Sequence, residues 1–343
     1  MPSERRPRLT PPIADVRRAV RSALDARDDA PLALVALSGG PDSLALAAAT
    51  AFEASRAGWR AGAIIVDHGL QADSSEQAQA AAAAARRLGL DPVLVERVDA
   101  SAAPGGDGPE AAARSARYAA LDAAAAATGA EIVLLGHTLD DQAETVLLGL
   151  ARGSGSGSLG GMAARSGRYA RPLLGIRRSA TRQACLDAGL APWDDPHNLD
   201  PAYARVRVRE RVLPVLEAEL GPGVAEALAR TAEQLREDEQ AFDEQIDEFI
   251  EEICEPAEAG IAISAAALAA NPAALRQRVI RHVVASEFGV ALSRVQTLEV
   301  ARLVTGWHGQ GPIDLPRGIR ATRAGAHVVI STTGSTTVLP HDH

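Results

Sequence analysis

Short apolar runs alternate with alanine-rich stretches through the first half of the chain, and this alternation limits the possible folds more than any other feature. Four apolar runs have the length and composition of buried strands: Leu32–Leu37, Ala61–Val66, Pro92–Glu96 and Ile132–Leu135. Each is followed by a stretch of helical composition: Asp42–Ala57, Ser74–Leu88, Glu110–Thr128 and Leu139–Ala151. Continuous apolar strands between helices are typical of a parallel sheet covered on both faces. We therefore predict an α/β fold with a doubly wound, mostly parallel sheet.

The rest of the chain predicts a second, smaller and mainly helical domain. The alternation stops at the glycine- and serine-rich segment 153–161, whose composition is that of a flexible segment. Further on, the GPG at Gly221–Gly223 is the clearest boundary signal. Helical patterns follow it, and Gly311–Ile330 has the turns and alternation of a hairpin. At about 150 residues per domain, 343 residues fit two domains, which we place at 1–220 and 221–343.

Composition excludes several classes of protein. Hydrophobic residues make up 47% and charged residues 23% of the chain, as in globular proteins. No apolar run approaches the roughly 18 residues that a membrane helix needs, and the first residues lack the apolar region of a secretory signal, so we expect a cytoplasmic protein without membrane contact. Cys185 and Cys254 form no CxxC pair, which argues against a disulfide framework and a cysteine zinc site. The chain contains no lysine, which excludes a Walker A loop and Schiff-base chemistry.

The negative net charge of −9 is unevenly distributed. The segment Glu233–Glu255 contains eleven acidic residues and one arginine, whereas 151–211 contains eleven arginines and five acidic residues. The middle of the chain is therefore basic, as expected of a surface that contacts nucleic-acid phosphates. The best candidates for phosphate contacts are Arg165, Arg168, Arg171, Arg177, Arg178 and Arg182, although any one of them could be solvated surface.

The segment Ser38–Ser43 (SGGPDS) joins the first predicted strand to the first predicted helix. Its two glycines let backbone N–H groups approach an anion closely, and the helix N-terminus adds a favourable dipole. The hydroxyls of Ser38 and Ser43 can donate to phosphate oxygens, whereas Asp42 is suited to capping the helix or holding Mg²⁺. From spacing alone, a capped turn and a phosphate-binding loop both remain open.

The segment GHTLDDQAET (Gly136–Thr145) follows the fourth predicted strand. If a helix begins near Thr138, then His137, Asp141 and Glu144 lie along one face at the carboxyl end of the strand, where ligands bind in open α/β sheets. Two carboxylates and a histidine there suit Mg²⁺ ligation, recognition of an ammonium group and proton transfer. The alternative is that the aspartates only cap the helix, but capping does not require His137, and we favour the functional interpretation.

The SGGPDS segment is similar to the SGGxDS pyrophosphate loop of the PP-loop superfamily, whose members cleave ATP to AMP and pyrophosphate. Further motifs follow in order: Val66–Ser74, Ala112–Leu121, Gly136–Thr145, Arg152–Met162, His197–Pro214 and Leu315–Arg323. This ordered set resembles the tRNA(Ile)-lysidine synthetase family in its shorter architecture, across most of the chain. The resemblance implies that ATP adenylates the wobble cytidine of a CAU-anticodon isoleucine tRNA at carbon 2. Free L-lysine then displaces AMP, and the codon read changes from AUG to AUA.

The resemblance also implies roles for single residues. The implied catalytic residues are Asp42, Arg117, His137, Asp141, Glu144, Arg205 and Arg207. The implied ATP-binding residues are Ser38, Gly39, Gly40, Pro41, Asp42, Ser43, Asp67, His68 and Gly136. Asp42 and Asp141 would hold Mg²⁺. The family usually has an Asn where this chain has Val206, which weakens the assignment of Arg205 and Arg207. Their spacing leaves open whether they lie around a helix or along one face of a strand.

Three other functions fit parts of the sequence. Thiolating relatives use cysteine pairs or an iron–sulfur cluster, which two isolated cysteines do not provide. Amide-forming relatives share SGGxDS but not the later motifs. A non-catalytic nucleotide-binding module remains an alternative, and ATP–pyrophosphate exchange would separate it from an enzyme. The helical second domain could also support a homodimer.

Overall fold

The computed structural model describes residues 9–67, 69, 74–98, 109–153, 155–257 and 259–332. The predicted ATP-binding residue His68 and the glycine-rich loop Pro104–Gly108 lie outside the described residues. The chain forms two compact units that divide after Arg236, whereas the sequence places the boundary at Gly221–Gly223.

A six-stranded sheet lies at the centre of the first unit, in the order β3-β2-β1-β4-β6-β5. Its strands are β1 (Leu32–Ala36), β2 (Arg60–Asp67), β3 (Val93–Arg97), β4 (Ala130–Leu134), β5 (Arg165–Ser166) and β6 (Tyr169–Ala170). All neighbouring pairs are parallel except the β5–β6 pair, which is a short antiparallel ribbon at one edge. The four strands predicted from the alternation are all present, so the predicted mostly parallel sheet is confirmed.

Ten helices belong wholly or partly to the described part of this unit. They are α1 (Pro11–Ala23), α2 (Pro41–Glu53), α3 (Ser74–Arg87), α4 (Pro109–Thr128), α5 (Leu139–Ala151), α6 (Ser156–Leu159), α7 (Arg178–Asp187), α8 (Ala204–Arg207), α9 (Leu213–Leu220) and α10 (Val224–Ile253). A π-helical turn over 208–212 joins α8 to α9.

Strand β1 shows why the sheet is covered on both faces. Its five residues are all buried, and alternate side chains enter two different hydrophobic clusters. Ala33 and Val35 pack with residues of α1, α2, α3 and α7. Leu32 and Leu34 pack on the opposite face with residues of α4. The strand therefore has no polar face, and the doubly wound arrangement predicted from the sequence is confirmed.

The parallel arrangement brings the ends of three strands to one edge of the sheet. Because β1, β2 and β4 run in the same direction, their carboxyl ends meet there. These ends are followed by Ser38–Ser43 after β1, by Asp67 at the end of β2, and by Gly136 and His137 after β4. A Cβ on Gly136 would lie 3.1 Å from the backbone of Ser43, so a glycine at this position allows the two loops to approach closely.

The described residues of the glycine- and serine-rich segment, 153 and 155–161, include a short helix, although the composition predicts a flexible stretch. It contains helix α6, and the backbone just after it is held from three sides. Gln142 of α5 donates to the Met162 carbonyl at 3.0 Å and accepts from the Met162 N–H at 2.7 Å. Arg236 donates to the Gly160 carbonyl, and Arg171 donates to the Ala163 carbonyl. These contacts fix the segment against the helix that bears the predicted catalytic residues.

The second unit combines helices with an antiparallel sheet. Its strands are β7 (Cys254–Ala257), β8 (Gly260–Ser264), β9 (Ile313–Leu315), β10 (Ile319–Ala324) and β11 (His327–Thr332), in the order β7-β8-β11-β10-β9. Its further helices are α11 (Ala265–Ala270), α12 (Ala273–Phe288) and α13 (Arg294–Thr305). The predicted hairpin is confirmed as β10–β11, but it is part of a five-stranded sheet rather than an isolated ribbon. No helix in the described parts of the chain is long and apolar enough to cross a membrane.

Candidate active site

The SGGPDS segment forms a tight turn between β1 and α2. Gly39 has a φ of +86°, a conformation that favours glycine, and Pro41 is the first residue of α2. The Ser43 hydroxyl donates to the Gly40 carbonyl at 3.1 Å and accepts from the Ser38 N–H at 3.2 Å. The Ser43 hydroxyl is therefore used to shape the turn. Ser38 and Gly40 line a cavity at the strand ends, where their polar groups can meet an anion.

Asp42 lies in the first turn of α2, and its side chain is only 20% exposed. Its Oδ1 accepts a hydrogen bond from the Thr181 hydroxyl, and its Oδ2 lies 3.4 Å from Nε of Arg178. Burial raises the pKa of Asp42 to about 6, and these two partners only partly oppose it. Asp42 is therefore a buried carboxylate that ionises just below neutral pH.

Asp141 both caps helix α5 and faces the cavity. Its Oδ2 accepts from the backbone N–H of Thr138 at 2.8 Å, and its own backbone N–H donates to the Thr138 hydroxyl at 3.4 Å, which together form a capping box. The Thr138 hydroxyl also donates to the same Oδ2 at 2.7 Å. Its Oδ1 lies 2.7 Å from Nη2 of Arg178. Burial alone would raise the pKa of Asp141, but Arg178 and Thr138 outweigh it and hold the pKa below its usual value. The capping alternative is therefore observed, and the same carboxylate also lines the cavity, where its predicted site function stays a prediction.

Glu144, one turn further along α5, is completely buried between two arginines. Its carboxylate accepts from Arg178 at 3.1 Å and from both Nε and Nη2 of Arg209 at 2.7 and 3.0 Å. Buried carboxylates are normally paired in this way, because an unpaired charge away from water is costly. Glu144 therefore orients arginines and does not face the cavity itself.

The arginines that follow Tyr203 have different surroundings. Arg205 donates to Thr145 at 3.3 Å and lies 4.0 Å from Glu144, at the edge of the carboxylate cluster. Arg207 donates to the carbonyls of Pro201 and Ala202, so the structure does not bring it into the cluster. Arg209, which the sequence pattern did not single out, occupies that position instead.

Two cavities open at the carboxyl edge of the sheet and share Ala36, Ser38, Arg117, Trp193 and Asp195. The first, of about 170 Å³, is mostly apolar and is lined by Ile64, Val66 and Asp67 from β2. The second, of about 610 Å³, is lined by Asp42, Asp141 and His137 and by several arginines. The first suits a flat aromatic base, and the second suits charged groups. Asp67, predicted to bind ATP, is buried and accepts from the Gly69 N–H at 3.0 Å.

Arg117 and His137 line the second cavity and differ from its carboxylates in their partners among the described residues. No carboxylate among the described residues forms an ion pair with Arg117, and burial lowers the pKa of this arginine. Nδ1 of His137 is buried and has no hydrogen-bond partner among the described residues. Burial also lowers the pKa of His137 to about 4, so the imidazole is neutral at pH 7. Within the part of the chain that the structure describes, the site therefore offers one arginine without an ion-pair partner and one neutral base beside the carboxylates.

The other arginines predicted to contact phosphates are mostly paired within the protein. Arg177 lies within 3.5 Å of Asp140, Glu217 and Glu226, and Arg182 forms a bidentate pair with Asp194. Arg171 is buried. Arg165 and Arg168 are about half exposed, with partners at 3.9 and 3.6 Å. These two remain the arginines of the set best placed for a nucleic-acid backbone.

The carboxylates are chemically suited to Mg²⁺. No group of three or more His, Cys, Asp or Glu side chains in the described residues could enclose a metal ion. Mg²⁺ does not need such a group, because it is usually bound by one or two carboxylates together with substrate phosphates and water. Asp42 and Asp141 both contact the Arg178 guanidinium, so a cation already lies between them, and their oxygens match this ligand preference.

Sequence reasoning missed three residues of the site, Thr181, Arg209 and Trp193, and it interpreted a fourth, Arg178, as a phosphate contact. Thr181 and Arg178 lie on α7, whose sequence resembles an ordinary surface helix. Trp193 lines both cavities, and its backbone N–H donates to the Gly39 carbonyl at 2.9 Å. Its position in a loop beside two aspartates was the only signal available.

Comparisons with known proteins agree with this geometry. A family model described as a PP-loop domain matches residues 14–216, and one described as a TilS substrate binding domain matches residues 263–327. The chain is 65% identical to the tRNA(Ile)-lysidine synthase of Leifsonia xyli, over 85% of this chain and 87% of the relative. It is 52% identical to that of Thermobifida fusca, over 94% of this chain and 98% of the relative.

A solved structure shares the fold. The U34-tRNA thiolase NcsA from Methanococcus maripaludis, with its [4Fe-4S] cluster, superposes with a TM-score of 0.54 at 20% identity. The match covers 66% of this chain and 80% of the thiolase. In this chain Cys185 is buried, Cys254 lies in the second unit, and burial raises the pKa of Cys185 to about 12. The likeness is therefore one of fold.

Proposed function

The chain belongs to the tRNA(Ile)-lysidine synthase family, and we propose that it ligates free L-lysine to carbon 2 of the wobble cytidine in a CAU-anticodon isoleucine tRNA. The observation that best supports this activity is the adjacency of an apolar cavity beside the SGGPDS turn to a charged cavity containing Asp42, His137 and Asp141. A two-step reaction needs a nucleotide site and an amine site that share a wall. The modified anticodon would read the codon AUA instead of AUG.

In the first step, the carbonyl oxygen on carbon 2 of the cytosine attacks the α-phosphorus of ATP, and pyrophosphate leaves. The turn at Ser38–Gly40 and the N-terminus of α2 are suited to the leaving pyrophosphate, because their N–H groups and the helix dipole favour an anion. Arg117, which has no ion-pair partner among the described residues, lines both cavities and is suited to the negative charge that develops on the phosphates. This step converts a poor leaving oxygen into a good one.

In the second step, the lysine amine forms a bond to carbon 2, and the bond from carbon 2 to the adenylated oxygen breaks, which releases AMP. Asp141 is held ionised and is suited to attracting the lysine ammonium. The amine must lose a proton to react, and His137 is the neutral group of the site that can accept it. Glu144 and Arg209 would orient the cluster. Asp42 and Asp141 would hold Mg²⁺, which neutralises phosphate charge when it is bound.

The second unit, 237–332, would contribute to tRNA binding. Its match to a model of a substrate binding domain over 263–327 supports this role. Arg165 and Arg168 of the first unit would add contacts to the phosphate backbone.

The test is incorporation of labelled lysine into purified transcripts in the presence of ATP and Mg²⁺. We expect label to enter an isoleucine tRNA with a CAU anticodon and not a methionine tRNA with the same anticodon. If neither tRNA accepts lysine but ATP is cleaved to AMP in the presence of tRNA, the nucleophile is wrong. If ATP–pyrophosphate exchange is absent with and without tRNA, the chain is a nucleotide-binding module and the proposal fails.

A further inference from the structure

Arg178 contacts three carboxylates, and each of its guanidinium nitrogens faces a different one. Nε lies 3.4 Å from Asp42, Nη2 lies 2.7 Å from Asp141, and Nη1 lies 3.1 Å from Glu144. The side chain is 23% exposed, and its three partners are still more buried. Such a planar fork has fixed N–H directions, so it fixes the directions of its acceptors as well.

The three carboxylates come from two different helices. Asp42 lies on α2 after β1, whereas Asp141 and Glu144 lie on α5 after β4. Like charges gathered in a partly buried place repel one another, so a shared cation is needed to keep them together. Arg178 provides that cation from a third helix, α7.

Helix α7 is itself fixed to both of these helices. The backbone N–H of Arg178 donates to Oδ2 of Asp140, the second residue of α5, at 2.7 Å. One turn later, the Thr181 hydroxyl donates to Asp42 of α2. The guanidinium therefore projects from a backbone whose place relative to α2 and α5 is set independently of its own ion pairs. The position of the guanidinium therefore follows from how α7 is fixed, and not only from the flexibility of a long side chain.

We infer that Arg178 is a positioning residue, which sets the separation between Asp42 of the ATP step and the Asp141–Glu144 pair of the lysine step. The inference rests on the proposed two-step reaction. Arg178 and Arg209 pair with the three carboxylates, and Arg205 lies 4.0 Å from Glu144 at the edge of the cluster, so three arginines oppose three carboxylates there.

The test compares Arg178→Lys and Arg178→Gln with the wild-type chain in both half-reactions. A lysine keeps the charge, but one ammonium group cannot satisfy three separated acceptors with the geometry of the fork. We expect both variants to lower kcat for ATP–pyrophosphate exchange and for lysine transfer by about 10²-fold, the scale of a small misplacement of reacting groups. The KM for ATP should stay within about threefold of wild type.

Arg177→Gln is the matched control. Arg177 also contacts three carboxylates and also lies at the start of α7, but its partners Asp140, Glu217 and Glu226 do not line the second cavity. We expect this variant to lower the melting temperature while kcat stays within about twofold of wild type. An equal loss of kcat in Arg177→Gln and Arg178→Gln would mean that α7 merely needs its ion pairs, and would overturn the inference.

A double variant tests whether Arg178 acts through its carboxylates. If it does, adding Arg178→Gln to Asp141→Asn should lower kcat for lysine transfer much less than it does in the wild-type background. The inference would be contradicted if the effects of the two substitutions on kcat were fully additive. It would also be contradicted if Arg178→Gln kept kcat within about threefold of wild type or changed only the KM for ATP. If the wild-type chain exchanges pyrophosphate but transfers no lysine, the proposed function fails and the exchange reaction alone decides the role of Arg178. If it does neither, both proposals fail.

Discussion

Asp42 and Asp141 share one guanidinium, yet their environments shift their pKa values in opposite directions. Asp42 has one hydroxyl donor and a longer contact of 3.4 Å with an Arg178 nitrogen, so burial dominates and raises its pKa to about 6. Asp141 is in the same cavity, but it accepts two hydrogen bonds from Thr138 and a close one from Arg178, which lower its pKa. The number and distance of donors, rather than burial alone, decide the charge state of each carboxylate.

Asp42→Ala is expected to abolish AMP formation while leaving tRNA affinity within about twofold of wild type. The reason is that Asp42 lies beside the proposed pyrophosphate site, whereas the exposed arginines proposed to bind tRNA lie elsewhere. AMP release and filter binding with the same tRNA would measure the two effects. Asp15→Ala, on the surface of α1, is the control and should change neither. Retained adenylation in Asp42→Ala would overturn the assignment of the phosphate loop.

Asp42→Asn is expected to stabilise the fold at pH 7.5. The pKa of Asp42 is about 6 in the folded state, above its usual value of 3.8, so protonation stabilises the fold. This contribution is complete below pH 3.8 and is lost as the pH rises through 6. At pH 7.5 the wild-type chain lacks it, and Asn avoids the buried charge, so unfolding should cost about 2 kcal/mol more. Chemical denaturation of both chains at pH 7.5 and pH 4 measures this difference in the free energy of unfolding. If the difference were as large at pH 4 as at pH 7.5, the buried charge of Asp42 would not be its cause.

At the same scale, the sequence predicted the residues that adjoin a strand end and failed for those that arrive from elsewhere. Ser38, Asp42, His137 and Asp141 follow β1 and β4, and a parallel sheet brings such positions together. Arg178 begins α7, which follows the short edge strand β6, and the sequence indicated this arginine only as a candidate phosphate contact. It reaches the cluster because hydrogen bonds of Asp140 and Thr181 fix α7 in place. These bonds join residues far apart in the chain, so the hydrophobic periodicity of the sequence cannot predict them.

At the scale of elements, helical spacing explains which arginine of the run reaches the cluster. Arg205 and Arg209 are four residues apart in the continuous helical stretch of α8 and the π turn over 208–212, and both lie near Glu144, whereas Arg207 does not. The alternating pattern of arginine and valine also fits a strand, in which all three arginines would share one face, so Arg207 seemed as suitable as Arg209. The same limit applies to β7 and β8, whose short sequences form strands because β11 provides a partner about 65 residues later in the chain.

Gly161→Ala is expected to lower the free energy of unfolding by about 1–3 kcal/mol. Gly161 has a φ of +64°, and a Cβ there would lie 2.6 Å from Oε1 of Gln142, the amide that holds Met162. Gly157→Ala is the matched control, because Gly157 belongs to the same segment and a Cβ there would meet no heavy atom within 4 Å. Thermal denaturation of both variants measures the difference. Equal stabilities would mean that the segment is not held as described.

At the scale of the whole molecule, charge is segregated along the chain. Helix α10 contains most of the acidic segment Glu233–Glu255, while Arg165 and Arg168 remain about half exposed in the first unit. Net charge therefore says little about the surface that meets a polyanion. The prediction of a homodimer stays a prediction, which light scattering would check.

The affinity for tRNA should fall steeply with salt although the chain is acidic overall. Each phosphate contact releases counterions, so we expect at least about 10²-fold weaker binding at 200 mM than at 50 mM salt. Replacing Arg165 and Arg168 with Gln should flatten the slope by about one for each phosphate that an arginine no longer neutralises. Filter binding across salt concentrations gives both slopes. A flat response in the wild-type chain would exclude the basic middle as the docking surface.

Trp193 lies in the wall that the two cavities share, so its fluorescence can report on what enters them. The chain has three tryptophans. Trp59 is buried with its indole N–H bonded to the Asp25 carbonyl at 2.7 Å, and Trp307 lies in the second unit. Replacing both with Phe would leave one fluorophore beside the proposed nucleotide site. The fluorescence emission of Trp193 should change on addition of ATP. The double variant that also contains Trp193→Phe should show no change. Occupancy of the nucleotide site could therefore be measured by intrinsic fluorescence without a label.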